Sequence, residues 1–224
     1  MLPPDIPLFP LPNVVLFPNV FLPLHIFEPR YRTMVADALQ ADRLIGMVLL
    51  RTDSAEAASR RAEAMRRRPV GNADYLGFPP VYPIGCAGLI THVDALEDGR
   101  YNIVLRGLEK FRILEEVGPG ARPYRRARVE PIDEPLTDGA RDLIRQSRSR
   151  LEALLSTDMR RLGSSVISDE DLVNALAHYL DLEPVEKQAL LERDGLPARY
   201  HSLIELLEMK MISARHPVST SRAH

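Results

Sequence analysis

With 224 residues, 45% hydrophobic and 27% charged, the chain is long enough for one large or two small cored domains, and its composition excludes wholesale disorder and a mainly membrane-embedded protein. A formal net charge of -2 supplies no global attraction for polyanions, so a nucleic-acid role requires a local basic patch. Cys86 is the sole cysteine, which excludes an intramolecular disulfide and fits a reducing compartment.

The N-terminus, MLPPDIPLF, lacks a basic n-region and a helical apolar core, so no secretory leader is expected and the cytoplasm is the expected location. Ile6 to Phe27 then carries no formal charge. As a helix it would be long enough to cross a bilayer, but Pro7, Pro10, Pro12, Pro18 and Pro23 recur too often for any helix, each removing a backbone donor. The run therefore reads as short strands separated by proline turns, Val14 to Phe17 and Val20 to Phe27, buried on both faces with Val14 in the core. Glu28 to Leu39 follows as a short amphipathic helix with Tyr31, Met34, Val35, Ala38 and Leu39 on one face. Leu44 to Leu50, LIGMVLL, is a further buried strand.

Residues 51 to 80 break this pattern and read as a surface excursion. Arg60, Arg61, Arg66, Arg67 and Arg68 make it the densest basic cluster in the chain. Such a run usually solvates a face, and the aromatic interleaving used to stack single-stranded bases is absent inside it. Beyond it, VYPIGCAGLITHV (Val81 to Val93) and RYNIVL (Arg100 to Leu105) flank a turn at Glu97, Asp98 and Gly99, a hairpin signature. Gly107 interrupts the second arm, Glu109 to Val117 resumes strand alternation, and Tyr124 to Asp133 is a last strand that Pro131 marks as an edge. The β part closes near residue 135.

The apolar period then changes from two to about 3.6. Thr137 to Met159 places Leu143, Ser147, Leu151, Leu154 and Leu155 on one stripe. Ser168 with Asp171 resembles a capping box and opens a second helix with Leu172, Val173, Leu176, Tyr179 and Leu180 as its apolar face. Pro184 opens a third helix, Gly195 and Pro197 end it, and a fourth carries Tyr200, Leu203, Leu206, Leu207 and Met211.

No catalytic constellation emerges from these elements. Gly163, Ser164, Ser165 lacks the flanking pattern of a nucleophile elbow. His25 with Glu28, and His178 with Asp181, each offer two metal ligands and no third, so no metal and no cofactor is expected. Cys86 lies among Ile84, Gly85, Ala87 and Gly88 and reads as a small buried hydrophobe. Glu115 and Glu116 are strand neighbours that point to opposite faces. A phosphate loop needs Gly-Lys-Ser/Thr, and the lysines, Lys110, Lys187 and Lys210, follow Glu109, Glu186 and Met209. What remains is apolar β surface of the kind that binds exposed polypeptide. Phe17, Phe21, Phe27, Phe78, Tyr75 and Tyr82 are candidate contributors; Tyr75, Phe78 and Tyr82, in and beside a Gly/Pro-rich loop, are the favoured contacts, whereas most of the phenylalanines fit the core better than a groove.

Four stretches carry a family resemblance: PLFPLPNVVLFPNVFLPLHIFEPRYRTMV (Pro7 to Val35), VYPIGCAGLI (Val81 to Ile90), NIVLRGLEKFRI (Asn102 to Ile113) and EKQALLERDGLPARYHSLIELL (Glu186 to Leu207). In this order they resemble the N-terminal substrate-binding domain of Lon proteases and stand-alone bacterial Lon-domain proteins. The resemblance implies an α+β fold: a PUA-like β pseudobarrel with a short helix over 1–135, a C-terminal helical bundle over 136–216, and a flexible tail at 217–224. Full Lon proteases continue into an AAA+ ATPase and a Ser-Lys protease, and no such machinery is read here, so the expected protein is not an enzyme. It is expected to bind unfolded or flexible polypeptide segments as an adaptor in protein quality control, serving a separate ATP-dependent protease or chaperone, with no membrane partner. Because PUA-like folds include RNA binders, the alternative is RNA binding through Arg60, Arg61, Arg66, Arg67, Arg68, Arg125 and Arg126.

Overall fold

The computed structural model describes residues 2–51, 79–117, 122–136, 138–155 and 168–215. The chain divides into two compact units, Met1–Ile132 and Asp133–His224.

The first unit holds a mixed sheet of strands β1 (Asp5–Leu11), β2 (Phe21–Ile26), β3 (Leu44–Leu49), β4 (Ile84–Ala95), β5 (Tyr101–Val117) and β6 (Arg126–Pro131), with helix α1 (Pro29–Leu39) between β2 and β3. The strand order is β2-β5-β4-β3-β1-β6, and a further pairing of β5 with β6 closes β5, β4, β3, β1 and β6 into a ring. Closure is possible because β5 is long: Tyr101 to Arg106 pair with β2, and Phe111 to Val117 pair with β6. β2 stays outside the ring and is, among the described residues, the one strand with a single partner, a role expected of β6 from Pro131. β6 is instead paired on both sides through Arg126 to Arg128, and Pro131 falls where only β5 is beside it.

β1 contains Pro7 and Pro10 because each half of it is laddered on one side alone, Asp5 to Pro7 with β6 and Leu8 to Leu11 with β3. A missing N–H is tolerated on a strand side that carries no ladder. Val14 to Phe17, expected as a strand, has no strand pairing. It is an irregular segment whose Val15, Leu16 and Phe17 are buried, while Val14 is only half-buried. This segment explains Gly107: a Cβ there would lie 2.0 Å from the carbonyl oxygen of Phe17, so only glycine lets the two backbones cross. The crossing is held by Asn19 N–H donating to Gly107 O and Gly107 N–H donating to Val20 O, each at 2.9 Å. Ile6, Leu8, Val48, Ala87, Phe111, Ala127 and Val129 fill the interior of the ring. The expected face of α1 is buried at Tyr31, Met34, Val35 and Ala38.

The second unit contains α2 (Asp138–Leu154), α3 (Asp169–Tyr179), α4 (Pro184–Leu191) and α5 (Leu196–Arg215), so five helices lie among the described residues. α2, α3 and α4 all pack against α5. The buried stripe of α2 runs through Ile144, Leu151 and Leu155 rather than Leu143, which is exposed: the expected stripe began one residue, or about 100° of helix, too early. Tyr179 likewise leaves the expected face of α3 and is exposed, while Asn174 is buried. Asn174 accepts from Arg199 Nη1 at 3.1 Å, and Arg199 Nη2 donates to both oxygens of Glu134 at 2.8 Å. Arg199 is fully buried on α5, so this charge is taken out of water only because a carboxylate and an amide receive it.

Candidate protein-binding face

The strands β2, β5 and β4 present three rows of side chains on one surface, set by their register: Phe21, Arg106 and Leu89; then Pro23, Val104 and His92; then His25, Asn102 and Asp94. Alternation along β2 explains which residues face outward, since successive strand residues point to opposite faces. Leu22 and Ile26 are buried, whereas Phe21 is 50% exposed and Phe27, just past the strand, is 61% exposed. Pro23, His25, His92, Asn102 and Val104 line a shallow groove between the rows.

The two ends of this face differ chemically. At the hairpin end, His25 Nδ1 lies 2.7 Å from Asn102 Oδ1, and Arg100 Nη1 lies 3.1 Å from His25 Nε2. Arginine can only donate, so Nε2 accepts and Nδ1 carries the hydrogen given to Asn102. Asn102 Nδ2 donates to Asp94 Oδ2 at 3.3 Å, which orients the amide, and Phe27 stacks on His25 with ring centroids 6.2 Å apart. Arg100 is anchored in turn by Asp98, whose carboxyl is held below the usual carboxylate range first by the Arg100 backbone N–H and then by the side-chain contacts of Arg100. The turn behind this network closes through Leu96 N–H to Arg100 O and Gly99 N–H to Leu96 O, with Gly99 at φ 78°. At the other end, Arg106 Nη2 donates to Asn19 Oδ1 at 3.2 Å, and the row there is otherwise apolar.

The residues singled out from the sequence are distributed elsewhere. Tyr75, Phe78, Arg60, Arg61, Arg66, Arg67 and Arg68 lie outside the described residues, as do Ser164 and Ser165. Tyr82 is half-buried, its N–H donating to Leu49 O at 2.9 Å and Arg51 sitting 5.8 Å above its ring. Arg125 is 6% exposed; its Nε donates to Glu116 at 2.9 Å and its Nη1 to Pro79 O at 2.7 Å. Arg126 pairs with Asp5 at 2.7 Å. Both guanidiniums are engaged within the protein, Arg125 as a buried tie between β6, β5 and the end of the 51–80 segment. Glu115 and Glu116 take different partners, Arg128 and Arg125, as opposite strand faces require. Cys86 is fully buried with its thiol directed at Ala87 O. Among the described residues no group of three or more His, Cys, Asp or Glu side chains is placed to hold a metal ion. Within the same limits no helix is long and apolar enough to cross a membrane.

Phe21 and Phe27, candidate contacts for which the sequence favours the core, are exposed instead. The signal that separates them was present: Phe21, Pro23, His25 and Phe27 share one parity with a histidine, and Leu22, Leu24 and Ile26 share the other.

The first unit is thus a closed ring of strands with a flanking strand that exposes aromatic side chains. The chain belongs to the ATP-dependent protease La (LON) substrate-binding domain family, whose model matches residues 5–209. It is 28% identical over 218 residues to Lon protease 2 of Myxococcus xanthus, covering 93% of this chain and 24% of that protein. Lon protease of Anaeromyxobacter dehalogenans shows the same 28% identity and coverage. The chain thus spans about a quarter of the length of the curated relatives it matches. Among solved structures it resembles the N-terminal domain of Mycobacterium avium complex Lon protease, with a TM-score of 0.62, 18% identity, and coverage of 91% of this chain and 98% of the other. It also resembles a Lon N-terminal domain protein from Xanthomonas campestris, with a TM-score of 0.55, 21% identity, and coverage of 90% and 97%. These two likenesses establish the Lon N-terminal domain fold.

Proposed function

We propose that this chain recognises unfolded or exposed polypeptide segments on the outer face of β2, β5 and β4, and acts as a non-catalytic substrate-recognition module. The observation that carries this reading is the pair Phe21 and Phe27, two phenylalanines held in water at the start and just past the end of an ordered strand. Exposed aromatic side chains grouped on a rigid scaffold, beside a groove, fit binding better than folding. We further read the ring of strands as a PUA-like pseudobarrel over residues 1–135, the helices as a bundle over 136–216 and the tail as 217–224. The module works in the cytoplasm as an adaptor that presents clients to a separate ATP-dependent protease or chaperone. Tyr82 is a secondary contact, because half its surface is buried and its ring already receives Arg51.

A fluorescence-anisotropy titration with a permanently unfolded labelled protein tests the face directly. Replacing Phe21 and Phe27 by Ser together is expected to weaken binding by about tenfold or more, as loss of central aromatic contacts does, while thermal melting is retained because both rings are exposed. A folded double variant with undiminished affinity would remove this face from the function. Salt-sensitive binding of a structured RNA, without affinity for the unfolded protein, would overturn the protein-binding reading altogether.

A further inference from the structure

The face carries a cation whose placement bears on which segments it accepts. Arg106 stands in the middle of the first row, with Phe21 beside it on β2 and Leu89 beside it on β4. Among the described residues its partner is the neutral Asn19 Oδ1, at 3.2 Å, and no carboxylate pairs with it. Of the other arginines in this unit, Arg100 holds Asp98, Arg126 holds Asp5 and Arg128 holds Glu115, while Arg112, farther along β5 and away from these rows, shares with Arg106 the lack of a carboxylate partner among the described residues. Arg106 is also held in position. Asn19 adopts a left-handed backbone at φ 61° and is fixed by its N–H bond to Gly107 O, so its amide meets Arg106 from one side and leaves most of the five guanidinium donors turned elsewhere. A fork of donors oriented between two apolar neighbours is suited to a carboxylate, which it can take bidentately.

We infer that the client segment of this face is an apolar stretch flanked by an acidic side chain, with Arg106 receiving the carboxylate and Phe21, Pro23 and Phe27 receiving the apolar residues. This rests on the reading of the face as a polypeptide-binding surface. The rows along β2 from Phe21 to His25 span about 13 Å, so an extended segment of roughly five or six residues reaches from the cation to the His25 end. At that end the charges of Arg100 and Asp98 satisfy each other, His25 is engaged by Asn102, and the carboxylate of Asp94 takes only the Asn102 amide, so among the described residues the unmatched cation of the face is Arg106 and its unmatched anion, Asp94, lies at the opposite end.

The test uses the full chain and three unstructured fluorescent peptides with one shared apolar core, flanked by Glu, Gln or Lys and amidated at the C-terminus. The Glu peptide is expected to bind about two- to fivefold more tightly than the Gln peptide, the range of a partly exposed ion pair, and the Lys peptide more weakly than either. Arg106→Gln is expected to level the series and Arg106→Glu to invert it, with melting unchanged because the residue is exposed. Equal binding of the three peptides to the natural chain, or a Glu preference that survives Arg106→Gln, overturns the inference. If, among these and a fourth peptide, the Gln sequence with a free terminal carboxylate, only the fourth gains affinity, the acidic side chain is overturned as the partner. Loss of binding in Phe27→Ser without any Glu preference refutes the role of Arg106 and leaves the face intact. Binding indifferent to both Phe21→Ser and Phe27→Ser refutes the face itself.

Discussion

Tyr124 lies at the entry to β6, 7% exposed, and its hydroxyl donates to Asp37 Oδ2 at the end of α1 over 2.6 Å. Burial is the larger cause, and the Asp37 hydrogen bond the next, that push its phenol up to about 12, against the opposing pull of Arg122. The unfolded chain releases this proton near pH 10, so the folded state favours the protonated phenol. Stability from this group is therefore complete below about pH 10 and is lost as the pH rises through about 12. Denaturant unfolding followed from pH 8 upward should show a decline in the natural chain that Tyr124→Phe flattens; equal slopes would mean that the phenol is not linked to folding. Residues of this kind were invisible in the sequence, because the partner of Tyr124 is Asp37, far away in the chain. The same holds for Arg125 and Arg126, which read as basic surface and turn out to be tied to Glu116 and Asp5. A charge run states how many guanidiniums are present, and only the fold states which carboxylates reach them.

Helix α3 begins where the sequence indicated. Ser168 adopts an extended backbone, and its hydroxyl accepts from the Asp171 N–H at 3.0 Å, with Asp169, Glu170 and Asp171 in the first turn. The return half of a capping box is not made, and Asp171 Oδ1 is buried without a partner. Ser168→Ala should cost about 1 kcal/mol of stability and Ser168→Gly only a few tenths, as read from denaturant midpoints. Equal costs for the two would show that the cap bond carries nothing. Strands were less legible than helix starts. The apolar run Val14 to Phe17 has strand composition, but among the described residues it joins no strand ladder and instead crosses Gly107. Composition reports burial, and pairing depends on a partner that local sequence does not specify. Pro131 misled for the same reason, because β1 and β5 both flank β6 from Arg126 to Arg128 and only β5 continues beside Pro131.

For the molecule as a whole, a formal net charge of -2 and paired arginines on β6 argue for apolar recognition. Affinity for an unfolded protein is accordingly expected to fall by less than about tenfold between 50 and 200 mM salt, with the Arg106 contribution as the part that screens. A protein making six to ten phosphate contacts would lose about 10³ or more over that range. A loss of that size here would return the basic cluster to consideration.

From the residues alone came the change from strand to helix near residue 135, the proline-broken apolar opening, the starts of α1 to α4 and the Lon-type order of motifs; α5 begins at Leu196 and includes Pro197, which reads from the sequence as the end of α4. Those features are local or depend on residue identity, so they survive without coordinates. The closure of the ring by β5 with β6, the choice of the Phe21 and Phe27 face as the outward one, and the place of Arg106 between Phe21 and Leu89, with no carboxylate partner among the described residues, were decided by tertiary structure. Each depends on which strand lies beside which. A strand's period of two separates its faces, but only its neighbours determine which face meets water.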